Sequence, residues 1–330
     1  MSEISLLNWN IFFDRYPNAH FMQSGQWGDL KSSFGWEPVR FIEGSVGAQL
    51  LFRKLPLGLT IAYMPKGPIG TTTPSFWRQI DQACKMRNAI FLKIEPDQFE
   101  GNEKLQKVYF PGFKKGKHNI QPPNTIMIDL TKEEDSLMQD IRQKTRYNIR
   151  LAARKGIIIE EWSDISAFHQ MSLITGGRDG FGVHSLEYYQ RVYELFKPTN
   201  MCELLVAKYE NQPLASLLIF YRGERAWYVY GASSNIERNK MPTYLLQWEA
   251  MRRAKARGCT QYDLWGVPDQ PLKTLEESFI KQTNGLWGVY RFKRGFGGDI
   301  RRNVQCLDKA YKPILHSLYD LYTGRRETSG

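Results

Sequence analysis

Hydrophobic and polar positions alternate in three short runs near the N-terminus. Pro38-Val39-Arg40-Phe41-Ile42-Glu43 and Val46 to Lys54 predict paired strands around Gly44-Ser45, and Leu59 to Met64 predicts a third. Pro74 to Arg87 then predicts a helix, and Ala89 to Pro96 a buried strand, so the order is β-β-β-α-β. That order returns later in the chain. Glu203 to Tyr209, Leu214 to Tyr221 and Ala226 to Ala232 read as strands separated by turns at Asn211-Gln212 and Gly223-Glu224. A helix from Thr243 to Arg257 closes at Gly258 before the strand Thr260 to Leu264. One order written twice at similar spacing argues for duplication of a single α/β module.

Between the modules, Glu133 to Lys155 reads as one long helix ending at Gly156. Arg142, Arg146, Arg150 and Arg154 recur at i+4 steps and share one face, either a solvated basic face or a stripe for RNA or phosphate. Lys114 to Pro123 reads as a loop. Near the C-terminus, Gly285 to Gly298 mixes cations, aromatics and glycines in one short segment. Glycines allow close backbone approach, aromatics give stacking faces and cations attract phosphate or stabilise an oxyanion, so this segment is expected in a site for a large anionic substrate.

Composition changes the picture in one respect. The chain has 330 residues, 42% hydrophobic and 24% charged, which fits a folded protein of two domains. Its formal charge of +11 calls for a polyanionic partner: RNA, DNA, a nucleotide-linked substrate or an anionic membrane surface. The N-terminus lacks the basic start and apolar core of a secretory signal, and no run approaches the roughly 18 apolar residues of a spanning helix. A cytoplasmic protein is expected. Cys84, Cys202, Cys259 and Cys306 are far apart, and the five histidines show no ligand spacing, so neither a disulfide framework nor a metal site is expected.

A mixed sheet backed by helices, written twice, is similar to the N-acetyltransferase fold. That fold commonly holds acyl-CoA pyrophosphate at a Gly-rich turn opening its central helix. The corresponding segments here, Gly70 to Pro74 and Asn235 to Thr243, lack the R-x-x-G-x-G/A pattern. A more specific resemblance runs through Gln26-Trp27-Gly28-Asp29-Leu30-Lys31, Tyr63 to Pro68, Lys144 to Arg150, Trp227 to Ala232, Tyr262 to Gly266 and Tyr290 to Phe296. In that order these segments resemble the signatures of the Fem family of non-ribosomal peptidyltransferases.

The resemblance implies an α/β (α+β) chain of two tandem N-acetyltransferase-like domains without a coiled-coil arm. The expected domains are 1–135, completed by a C-terminal helix over 304–330, and 136–303. It implies an aminoacyltransferase that moves an amino acid from aminoacyl-tRNA, the co-substrate, to the stem-peptide amine of a peptidoglycan precursor. The acceptor is either lipid II or UDP-MurNAc-pentapeptide, no cofactor is implied, and peripheral contact with the inner membrane face is left open. The alternative is an acyl-CoA-dependent N-acyltransferase of the same fold.

Residue roles follow from the same resemblance. Lys293, with Phe292 beside it, matches the lysine associated with the tRNA acceptor end and the developing charge. Glu95 matches an acidic position considered as general base, although proton transfer by the substrate itself is equally reasonable. Lys31 matches a lysine that contacts the precursor diphosphate. His184 stands where its arginine partner is usual, with Arg178 as a second candidate for that grip, and Tyr188, Tyr228 and Tyr230 match tyrosines of the precursor groove. Arg142, Arg146, Arg150 and Arg294 are the candidates for tRNA. Asp263, at the end of the second module's last strand, is read as a turn cap or a structural contact.

Overall fold

A computed structural model describes residues 3–101, 110–279, 281–282 and 286–327, the last six by backbone alone. In chain order it contains α1 (Leu6–Asp14), α2 (Gly25–Ser32), β1 (Trp36–Glu43), β2 (Val46–Lys54), β3 (Thr60–Pro65), α3 (Pro74–Met86), β4 (Ala89–Glu95) and β5 (Lys114–Lys115). There follow β6 (Asn124–Asp129), α4 (Glu134–Asp140), α5 (Gln143–Arg154), β7 (Ile158–Glu161), α6 (Ile165–Asp179), α7 (Leu186–Phe196), β8 (Cys202–Tyr209), β9 (Gln212–Arg222) and β10 (Arg225–Ser233). The last elements are α8 (Pro242–Ala256), β11 (Gln261–Asp263), α9 (Leu272–Ser278), α10 (Leu286–Arg294), β12 (Asp299–Arg302), β13 (Leu307–Ala310) and α11 (Pro313–Glu327). Local chemistry sets several starts: Ser5, Ser24, Thr73, Asp164 and Ser185 each accept a hydrogen bond from the backbone N–H three residues on.

Two compact units divide the chain. The first comprises residues 1–123 and 302–330, the second 124–301. In the first, six strands run in the order β1-β2-β3-β4-β13-β5. β1, β2 and β3 are antiparallel, and α3 carries the chain over to β4, parallel to β3. The second unit repeats this wiring: β8, β9 and β10 are antiparallel, and α8 crosses over to β11, parallel to β10. The duplicated order is therefore physical, and the fold is α/β with two tandem sheets. Among the described residues the longest helices have 15 residues, and no coiled-coil arm is present.

Each sheet buries one face in a large core. In the first unit Val39, Phe41, Ala48, Leu50, Ala62 and Leu92 meet Phe76, Trp77 and Ile80 of α3. In the second, Leu205, Leu217, Ile219, Ala226 and Tyr262 meet Leu246, Ala250 and Met251 of α8.

Four elements depart from the sequence reading. The C-terminal helix expected over 304–330 is preceded by strand β13 and starts only at Pro313, and the loop expected over Lys114 to Pro123 opens with the short strand β5. β6 falls in 1–135 by sequence, yet it pairs with β11 in the second sheet. The single helix expected over 133–155 is two, because Ile141 and Arg142 are extended, with ψ of 136° and 141°. The Arg142 N–H bonds to the Gly295 carbonyl at 2.9 Å instead of continuing a helix. Arg142 is thus off the helical face that it was expected to share with Arg146 and Arg150.

Candidate active site

In the second unit the site is built on α10. The helix turns Tyr290 and Lys293, three residues apart, to its buried side. The glycines after it are close-approach points: a Cβ at Gly295 would lie 2.4 Å from the Thr145 hydroxyl oxygen, and one at Gly298, where φ is 75°, would lie 2.5 Å from the Met127 carbonyl oxygen. Gly285 lies outside the described residues.

Lys293 is 6% exposed, and its Nζ donates to the Gly266 carbonyl at 2.8 Å. It sits 5.5 Å from the centre of the Tyr228 ring. Burial drives its pKa down from 10.5 to about 7, while the Asp263 carboxylate pulls the other way. An ammonium has three donors, and only one goes to Gly266 in this arrangement. A buried amine that changes charge near neutral pH suits an anion that appears during reaction.

Asp263 organises the turn beneath this lysine. Its Oδ1 accepts from the Trp265 N–H at 2.7 Å and from the Thr125 hydroxyl. The turn holds Trp265 in the left-handed region at φ 59° and brings the Gly266 carbonyl to Lys293. Thr125 was not picked out from the sequence, and Gly266 entered only as the last residue of the Tyr262 to Gly266 segment with no role assigned, although Asp followed by Leu-Trp-Gly carries the signal of a side-chain-capped turn. Phe292 does not share the lysine's direction. Its ring is partly buried and packs against Tyr244 and Phe296, each at 5.2 Å, at the edge of the core.

The three tyrosines matched by resemblance do not form one wall. β10 shifts register between Tyr228 and Tyr230, so Val229 is an extra residue in the ladder. Tyr228, opposite Ile219, faces the core that contains Lys293's helix. Tyr230 faces α7 and Phe220 instead: its hydroxyl is 3.3 Å from that of Tyr188, and its ring is 5.3 Å from that of Tyr189. After the bulge, Gly231 takes the position on Tyr228's side. A Cβ there would come within 1.9 Å of the Tyr228 hydroxyl oxygen. Gly231 therefore leaves the space that Tyr228 occupies, a role that no single-residue signal announces.

His184 stacks on Tyr188 at 3.9 Å, with 18° between the planes, and meets Tyr230 edge-on at 5.9 Å. Arg178 is bound by Asp179 at 2.9 and 3.1 Å, by Ser233 Oγ at 3.1 Å and by Asn235 Oδ1 at 3.2 Å. The adjacent carboxylate offsets its charge.

In the first unit, Lys31 lies 4.5 Å over the Trp27 ring on α2, and burial lowers its pKa to about 8. Gly28 lets α2 approach Arg40 and Gln49, whose side chains would meet any Cβ there. Arg40 reads as an outward position in an alternating strand, yet it is buried, bonded to Gln49 Oε1 at 2.8 Å and 3.6 Å from Asp29. Glu95 takes a different part from the general base considered above. Its carboxylate accepts the Tyr63 hydroxyl and the N–H groups of Ile120 and Gln121. Burial raises its pKa against these bonds, and its lone pairs are committed to anchoring the 118–121 loop.

The arginines proposed for tRNA are similarly divided. Arg142 stacks on Phe279 at 3.9 Å, and Arg146 donates to the Gln139 carbonyl at 2.7 Å and to the Ile141 carbonyl, closing the end of α4. Arg294 pairs with Glu276 at 2.9 Å and donates to the Gly298 carbonyl at 3.2 Å. Arg150 is exposed on α5.

A family model described as the FemAB family matches residues 106–210 and 199–323, more than half of the chain. The chain belongs to the FemAB family. As a member of it, the protein is an aminoacyltransferase. Among its relatives is a lipid II:glycine glycyltransferase of Staphylococcus epidermidis, 25% identical over 364 residues that cover 85% of this chain and 88% of that protein. A protein of the same description from Staphylococcus aureus is 26% identical over 369 residues, with the same two coverages. The crystal structure of FemX superposes with a TM-score of 0.84 at 22% identity, covering 97% of this chain and all of that one. A tandem GNAT protein from the clavulanic acid pathway has a TM-score of 0.50 at 9% identity, covering 93% and 97%, and shares the fold. This FemAB protein has no helix, among its described residues, long and apolar enough to cross a membrane.

Proposed function

We propose that this FemAB protein transfers an aminoacyl group from aminoacyl-tRNA to the stem-peptide amine of lipid II. The observation that carries the reading is Lys293, a buried amine with a pKa near 7 at the end of a clamped turn. Attack of an amine on the tRNA ester puts negative charge on the carbonyl oxygen, and a preorganised cation lowers that barrier. Lys293 supplies this charge, Tyr228 shapes its pocket, and Phe292 fixes the helix that carries it. Lys31 serves the diphosphate of the acceptor, with His184, Tyr188, Tyr230 and Arg178 as further acceptor contacts. Arg150 is the arginine best placed for RNA, and Arg142 and Arg294 support the loops near it.

The lipid-linked acceptor is favoured over the UDP-linked one by the activity named for the staphylococcal relatives. An acyl-CoA donor is disfavoured on a specific ground. The first module's crossover helix is already capped by Thr73, whose hydroxyl is bonded to the carboxylate of Glu43, and a pyrophosphate would meet that negative charge.

Labelled aminoacyl-tRNA offered with lipid II, with UDP-MurNAc-pentapeptide or with neither tests the proposal. Label should pass to lipid II in the native protein and not in Lys293→Met. Absence of transfer across a full set of aminoacyl-tRNAs, or acylation from CoA thioesters instead, would overturn it.

A further inference from the structure

The face of the first sheet opposite its main core carries a second, smaller apolar layer. Ile61, Ile90 and Phe91 are covered there by Leu315 and Tyr319 of α11. Phe91 also meets His316 at 4.5 Å and Tyr319 at 5.2 Å, so the helix is seated on a definite side. Its other side should then be polar. Instead Ile314, Leu318 and Leu321, at i, i+4 and i+7, are 78%, 57% and 61% exposed.

A neighbouring loop adds to this stripe. Leu55 and Leu59 pack on the same Ile61–Ile90–Phe91 layer and close the loop through a backbone bond of 2.9 Å. At its tip Leu57 has φ 62° and is 93% exposed. A leucine held in the left-handed region with its side chain in water gains nothing from the fold, so its apolar surface is available to something outside it.

The border of this surface is cationic. Arg53 and Lys54 are exposed on the strand leading into the loop, Arg53 lies 5.5 Å from the Trp36 ring, and Lys312 precedes α11. The acid on the helix, Asp320, is turned towards His316 and Lys117. An apolar stripe with an aromatic and a basic rim is the pattern of a helix lying in a bilayer interface. A second copy fits less well, because a two-fold contact would set Arg53, Lys54 and Lys312 against themselves.

We propose that the Leu57 loop and the outer stripe of α11 form a docking surface for an anionic membrane. This rests on the lipid-linked acceptor proposed above, since docking would hold the enzyme at the plane where that substrate resides. Nonpolar side chains enter the headgroup region while Arg53, Lys54 and Lys312 meet lipid phosphates.

Co-sedimentation of the full chain with phosphatidylglycerol–phosphatidylcholine vesicles, and with phosphatidylcholine alone, tests the surface. The expected result is binding to the anionic vesicles at least tenfold stronger than to the neutral ones, weakening as salt rises. Leu57→Asp/Leu318→Asp should lose at least tenfold in binding with an unchanged thermal midpoint. Leu57→Ser/Leu318→Ser serves if the acidic pair does not fold. Wild-type protein left in the supernatant with both vesicles, or equal binding by folded variants, would overturn the proposal, as would a dimer that the variants dissociate. Vesicle binding needs no transfer reaction, so failure of the transferase reading leaves this measurement interpretable, and transfer to lipid II in detergent proceeds whether or not docking occurs.

Discussion

Lys293 joins stability to chemistry at a single atom. Its amine titrates near 10.5 when unfolded and near 7 when folded. Above the higher value it is neutral in both states and nothing is at stake. As pH falls from there the unfolded chain takes up the proton first, so the folded protein loses stability progressively until pH passes below about 7. At neutral pH the lysine therefore destabilises the fold that presents it. Lys293→Met should raise the unfolding free energy by an amount on the order of 1–3 kcal/mol, and the thermal midpoint with it, after allowing for the lost bond to Gly266, while transfer disappears. Calorimetry at pH 7.5 beside the labelled-tRNA assay measures both, and a destabilised variant would mean that burial is not what lowers the amine's pKa. If the cation is the working form, kcat/KM should fall as pH rises through about 7. Asp263 raises the lysine's pKa, so Asp263→Asn should move that alkaline limb to lower pH. A limb that stays in place, with only the rate reduced, would confine Asp263 to holding the Trp265 turn.

Elements rather than residues decide what the tyrosines and arginines can do. The strands and crossover helices of both modules were legible because Val46 to Phe52 and Leu214 to Tyr221 are short, largely apolar runs bounded by turn residues, buried throughout in the structure, and because Pro74 and Gly258 mark helix ends. The bulge at Val229 was not, since Tyr228-Val229-Tyr230 reads as uninterrupted alternation and only the partner strand shows the extra residue. Gly231→Ala tests this device. The added methyl must push the Tyr228 hydroxyl away from a position 1.9 Å distant, so transfer should drop by about 10²-fold with the fold retained. The break between α4 and α5 was equally hidden, because the i+4 arginines run through it. It arises from partners distant in sequence, the Gly295 carbonyl for Arg142 and the freed carbonyls of α4 for Arg146. Arg146→Ala should accordingly cost about 1–2 kcal/mol in a denaturant melt, whereas Arg150→Ala should leave the melt unchanged and lower tRNA affinity with a shallower salt slope. The reverse pattern would return Arg146 to the RNA-binding face.

At the scale of the molecule, the second unit is inserted between two pieces of the first, and the late piece is not an appendage. β13 pairs with β4 on one side and β5 on the other, so the C-terminal segment supplies an interior strand of the first sheet. Sequence alternation did not reveal it, because Leu307-Asp308-Lys309-Ala310 is short and its one buried polar residue, Asp308, looks like a loop acid. Its purpose is visible only with its partner: Asp308 Oδ1 lies 2.8 Å from Nζ of Lys93, itself buried in β4. Burial alone would lower the Lys93 pKa, and the Asp308 carboxylate reverses this and raises it. Removing the carboxylate leaves a buried charge without its counterion, which costs about 3–5 kcal/mol in comparable pairs. Asp308→Ala should therefore destabilise the first unit by a free energy of that order and unfold it at a lower temperature. The second unit keeps its own core from Ile126 to Phe296 and should be spared. Differential scanning calorimetry with limited proteolysis separates the outcomes. An early transition accompanied by cleavage within 1–123 and a resistant fragment over 124–301 is expected. A single transition with both units cut together would show that the two cores unfold as one cooperative block.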